Sequence, residues 1–123
     1  MTQLKGLVPK GWGSEFIWAT NDKYCGKFMN FNTGAKFSMH FHRFKEETWY
    51  VQSGKFIVRW IDTESGETKE TVIKQGDVLE VPPMRPYQLE SLLPNSVIFE
   101  TGTAEREGDL CRLTPVETVG TQS

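Results

Sequence analysis

The chain has 123 residues, 37% hydrophobic and 24% charged, with a net charge of −2 at neutral pH. That length fits one domain with its own core, and the balanced charge argues against a nucleic-acid partner or an anionic membrane surface. No apolar run is long enough to span a membrane, and the opening MTQLKGLVPKGWG has no apolar signal segment, so the expected setting is cytoplasmic.

Residues 1–10 are polar with one proline and read as an arm. Residues 11–19, GWGSEFIWA, are aromatic and strand-like, with Trp12 and Trp18 expected to cover an open end of the core. Cys25 and Cys111 are the two cysteines and read as reduced packing residues. A short strand over 27–32 ends in the turn Asn32-Thr33-Gly34. Residues 35–42 and 47–52 are the next two strands, and Ser53-Gly54 turns the chain into 55–62. That run is apolar on both faces apart from Arg59, the pattern of a strand packed on two sides.

Residues 63–67 form a hairpin loop, and 68–74 an edge strand guarded by charges. Gln75-Gly76 leads into 77–81, which Pro82-Pro83 ends because proline gives no ladder donor. Strands at 87–91 and 96–101 are joined by a turn at Pro94-Asn95. From Thr103 onward the chain reads as a polar tail with a mobile end. No helical periodicity survives the glycines. Seven to nine short strands with regular turns imply an all-β sandwich or barrel in a single domain, 1–123, with a barrel core of about 12–112.

The chemistry concentrates in residues 34–54, GAKFSMHFHRFKEETWYVQSG. Both histidines of the protein, His40 and His42, stand there with one residue between them. On a strand, i and i+2 share a face, so the imidazoles project together, with Ser38 and Lys36 on the same side. A carboxylate on the next strand would complete a set of two His and one acid, the kind used for Fe(II) and, in other geometries, for Mn, Ni or Zn. The imidazoles must be neutral to ligate, so binding should weaken as pH falls toward about 6.5. Trp49 shares the face of Glu47 and reads as pocket wall or as core. An unpaired charge at Arg59 would be costly in its apolar strand, so that residue is a candidate ligand for an anionic substrate. Arg85 and Lys36 are further candidates, with solvated rim charge as the plainer reading.

The same segment resembles the first cupin motif, G-x5-H-x-H-x(3,4)-E-x6-G, matched at Gly34, His40, His42, Glu47 and Gly54. Glu46 fits the looser spacing, but only Glu47 leaves six residues before Gly54. Residues 76–91, GDVLEVPPMRPYQLES, resemble the second motif, G-x5-P-x-G-x2-H-x3-N, in part: Gly76 and Pro82 match, while Met84, Tyr87 and Ser91 stand for the glycine, histidine and asparagine. The resemblance implies a double-stranded β-helix, the jelly-roll cupin barrel, and a divalent metal (Zn, Mn, Fe, Ni or Co) held by His40, His42, Glu47 and Tyr87. Tyr87 reads either as an oxygen donor to the metal or its water, or as a mouth-lining aromatic.

KGWGSEFIWA, EETWYVQSG and IFETGTAEREGDLCRL are further similar to the cupin domain of type II mannose-6-phosphate isomerases, with Asp109 and Arg112 at matching positions. That family's closing Tyr-Gly-Arg is absent; the chain continues as Leu113-Thr114-Pro115. Three readings follow: a metal-dependent sugar-phosphate isomerase, an Fe(II)-dependent cupin dioxygenase, or a non-catalytic module for a sugar or other small-molecule ligand. The resemblance also implies a homodimer, paired through sheet edges.

Overall fold

A computed structural model describes residues 6–113, and these residues form strands and turns throughout. Among them no helix is long and apolar enough to cross a membrane. The six-stranded sheet has the order β1 (Gly6–Lys10), β2 (Gly13–Thr20), β3 (Tyr24–Phe31), β10 (Ser96–Thr103), β5 (Glu47–Ser53), β8 (Val78–Val81). The five-stranded sheet has the order β11 (Leu110–Arg112), β4 (His40–His42), β9 (Tyr87–Ser91), β6 (Lys55–Ile61), β7 (Thr68–Lys74). Every pairing is antiparallel. From β4 to β10 the chain repeatedly changes sheet, which produces the jelly-roll expected from the strand pattern.

The core lies between the sheets. Period-2 alternation turns Phe56 and Val58 of β6 inward, where both are fully buried with Val51, Leu89 and Ile98. Burying side chains of this size stabilises the fold by about 1.5–3 kcal/mol each. At one end Trp12 stacks on Phe31 at 4.5 Å, and Phe31 meets Phe56 edge-on at 5.0 Å.

Several sequence expectations change. Part of the expected arm, Gly6–Lys10, is a strand paired with β2, with Lys10 opposite Gly13. Pro9 is tolerated there because β1 is an edge strand. Residues 1–5 of the arm, and residues 114–123 of the expected mobile tail, lie outside the described residues. The tail is not structureless up to that limit, since Leu110–Arg112 pairs with β4.

Trp12 and Trp18 do not act together. Trp12 is 1% exposed in the core, whereas Trp18 is 39% exposed and lies edge-on to Phe99 at 5.7 Å. Trp12 sits in the β1–β2 turn rather than on β2, and a register shift between Ile17 and Ala19 further breaks the parity of the strand.

Residues 35–42 are not one strand either. Only His40–His42 is a strand, preceded by a single bridge from Lys36 to Glu90. Phe37, Ser38 and Met39 are buried in succession, so the alternation that would align Lys36 and Ser38 with the histidines is lost.

Candidate functional site

A cavity of about 330 Å³ opens into the barrel. Its walls come from both sheets, with Trp12, Met29, Phe37 and Trp49 as apolar lining and His40, His42, Glu47, Glu15, Glu100 and Glu105 as polar lining. Lys10, Arg106 and Arg112 add positive charge to the same walls.

The histidines are held by different partners. His40 Nδ1 is 2.8 Å from the Ser38 carbonyl, and a carbonyl only accepts, so Nδ1 carries the proton and Nε2 keeps its lone pair. His42 Nδ1 is 3.1 Å from Asp109 Oδ2, which fixes the same tautomer. Burial pushes His40 down to about 4, against the pull of the Ser38 bond. His42 is also lowered, by burial and then by the Lys45 ammonium, with Asp109 opposing. Both rings are therefore neutral near pH 7. They stand perpendicular with centroids 5.7 Å apart.

Asp109 does more than orient His42. Its Oδ1 accepts the Phe44 amide at 2.7 Å and its Oδ2 the Lys45 amide at 3.3 Å. Burial raises this carboxyl, but the two amide bonds and His42 hold it below the ordinary range. The turn between β4 and β5 is thus pinned to the segment entering β11. On the other side, Met84 donates its amide to the His42 carbonyl at 2.7 Å. Met84 does so with φ of +69°, keeping the left-handed backbone at the motif position where glycine was expected.

Glu47, the first residue of β5, is 7% exposed. Its Oε1 lies 3.6 Å from His42 Nε2 and 3.0 Å from Lys45 Nζ. Lys45 lies in a turn, where a lysine reads as solvated from the sequence. Here its side chain is 1% exposed, and Nζ also reaches Glu100 Oε2 at 2.9 Å and Glu105 Oε1 at 3.1 Å. Lys27 joins the network through Glu15 at 3.2 Å, Glu105 at 3.4 Å and Glu100 at 3.7 Å. Burial would strip the charge from both lysines, but the surrounding carboxylates, Glu100 first, keep them charged and push their pKa upward. Burial and then Glu100 push Glu47 up, with Lys45 opposing. Glu100 itself is held low by Lys27 and Lys45 despite its burial.

The other sequence candidates are dispersed. Trp49 lines the cavity, with its ring 5.8 Å from Tyr87, which is itself 4% exposed and packed in the core behind it. Lys36 and Ser38 do not line the cavity with the histidines, because the segment before β4 bends instead of alternating. Arg59 pairs with Glu90 at 2.8 Å and Gln88 at 3.2 Å across β6 and β9, which satisfies its charge without a substrate. Arg85 lines a separate surface recess with Glu46, Glu80 and Thr101.

Two neutral imidazoles with free Nε2 atoms and a carboxylate near one of them fit a divalent ion in chemistry. Their ligand atoms do not all lie within 4.8 Å of one another, and the carboxylate is engaged by Lys45. Among the described residues the group that does meet that spacing is Cys25, Glu100 and Glu105. Those two carboxylates already carry both ammonium groups, and burial pushes the Cys25 thiol up, so this cluster does not fit a metal.

The fold has counterparts of known structure. KdgF from Halomonas sp. is similar at 22% identity and a TM-score of 0.64, over 76% of this chain and 80% of that one. The capsular polysaccharide assembling protein CapF from Staphylococcus aureus is 19% identical with a TM-score of 0.76, over 94% of this chain. Oxalate decarboxylase from Bacillus subtilis is 20% identical with a TM-score of 0.73, over 92% of this chain. This chain spans about a third of the latter two, covering 34% and 32% of them. Among curated proteins none matches the chain. A family profile described as a cupin domain matches residues 27–94, more than half of the chain and inclusive of His40, His42 and Glu47. With that match on a jelly-roll of two antiparallel sheets, the chain belongs to the cupin domain family.

Proposed function

We propose that this cupin binds a small, oxygen-rich anionic ligand, such as a sugar acid or sugar phosphate, at a divalent metal held by His40, His42 and Glu47. The carrying observation is the matched pair of imidazoles, each with Nδ1 on a protein acceptor and Nε2 left for a ligand bond. A bound metal would act as a Lewis acid on a carbonyl or hydroxyl oxygen of that ligand. Trp12, Phe37 and Trp49 supply apolar walls against a sugar ring, and Lys10, Arg106 and Arg112 favour an anionic group.

Binding is favoured over isomerisation. Aldose–ketose interconversion needs a base for the C2 proton. Lys27 and Lys45 hold Glu100 and Glu105 low despite their burial, which makes them weak bases, and Glu47, the carboxyl that burial pushes up, is the one assigned to the metal. Tryptophan fluorescence tests the reading, because Trp12 and Trp49 line the cavity. Titration with mannose 6-phosphate or a hexuronate should perturb the emission in metal-loaded protein. The response should vanish after chelation and in His42→Ala. A response indifferent to both treatments would sink the metal-dependent reading. Conversion of mannose 6-phosphate to the ketose, followed by NMR, would restore the isomerase.

The partner is proposed to be a second copy of the chain. Leu7, Phe16, Phe28, Phe99, Tyr50 and Val78 are successive cross-strand partners across all six strands of the larger sheet. Leu7, Phe16, Tyr50 and Val78 are exposed, at 66%, 39%, 42% and 61%. An apolar stripe that wide is a liability on an isolated barrel and suits sheet-on-sheet packing.

A further inference from the structure

We infer that the Lys45 ammonium is the built-in counter-cation of the candidate metal centre: it occupies the Glu47 oxygen that a metal would take, so a metal binds only by displacing it. The inference rests on the metal reading above and concerns how that site is controlled.

Three observations carry it. First, Lys45 reaches Glu47 Oε1 at 3.0 Å, the oxygen that faces His42 Nε2 at 3.6 Å. Second, its side chain is 1% exposed, so water does not screen its charge from an incoming cation. Third, Lys45 has somewhere to stay: without Glu47 it retains Glu100 at 2.9 Å and Glu105 at 3.1 Å. Displacement therefore costs one of three ion pairs and leaves no buried charge alone. A divalent ion at Glu47 would still feel the nearby ammonium, and Coulomb repulsion at such range is strong in a poorly screened interior. The chain position explains how the lysine arrives. Lys45 lies in the turn between the histidine strand and Glu47, and Asp109 accepts its backbone amide, which fixes where its side chain starts.

The test is titration of chelator-treated protein with ZnCl2, read by calorimetry and by thermal melting. Lys45→Met keeps the length of the stem and removes the charge, and it should bind Zn at least tenfold more tightly than wild type. Lys45→Arg keeps the charge and should resemble wild type. Since Lys45→Met leaves buried carboxylates uncompensated, the double variant Lys45→Met/Glu100→Gln removes one charge of each sign and provides a folded alternative. Zn should raise the melting temperature of the Met variants more than that of wild type. Zn binding by the Met variants with none by wild type would support the inference in its strongest form. Equal or weaker binding by the Met variants, or tightening by Lys45→Arg as well, would overturn it while leaving the metal site standing. No binding by any form would remove the metal reading itself, and the inference with it.

Discussion

Glu46 and Glu47 are neighbours with the same side chain, and their surroundings separate them. Glu46 is exposed, and its backbone is tied to Thr103, with the Glu46 amide on Thr103 Oγ1 at 3.1 Å and the Thr103 amide on the Glu46 carbonyl at 3.0 Å. Glu47 turns inward to His42 and Lys45. Glu47→Gln should therefore weaken Zn binding by roughly tenfold or more, while Glu46→Gln leaves it unchanged. Equal affinity in the two variants would refute the assignment. Tyr87 belongs to the same question. It is the cross-strand partner of His40, but its ring packs on Trp49 in the core. Tyr87→Phe preserves that shape, so Zn affinity should stay within about threefold of wild type. A tenfold loss would instead make the hydroxyl a metal partner.

At the scale of elements, the two glycines that frame the histidine segment do different work. Gly34 has φ of +77° and open space where a Cβ would stand. Gly54, in the β5–β6 turn, has φ of +82°, and a Cβ there would lie 2.1 Å from Ser96 Oγ and 2.5 Å from Ser96 Cα. Gly34→Ala should cost about 1–2 kcal/mol from the left-handed backbone alone. Gly54→Ala adds overpacking against a neighbouring strand and should cost about 2–4 kcal/mol. Urea unfolding of both variants measures the difference, and equal losses would show that the close approach to β10 is relaxed at no cost.

The whole molecule presents the apolar stripe across its larger sheet. With strands about 4.8 Å apart, six of them make a band roughly 24 Å wide, enough for two sheets to pack face to face. Sedimentation at tens of micromolar should give the mass of two chains, against 14.1 kDa for one. Phe16→Glu with Tyr50→Glu should return the single-chain mass, because both side chains are exposed within the stripe. A wild-type mass of one chain would remove the dimer.

Local pattern determined much of this protein. Alternating apolar residues, glycine turns and proline stops marked most strands of the two sheets, because side-chain period and turn chemistry act over a few residues. The spacing of Gly34, His40, His42, Glu47 and Gly54 located the cavity's histidines and acid for the same reason: the three lie on consecutive strands, one in each sheet, joined by a short turn. What the sequence could not convey depends on contacts between distant segments. Arg59 looked unpaired until β9 brought Glu90 beside it, 31 residues away in sequence. Asp109 reaches His42 only because β11 returns to pair with β4. Lys45 reads as a surface lysine in any local window; only the folded chain surrounds it with Glu47, Glu100 and Glu105, and burial then makes its charge matter.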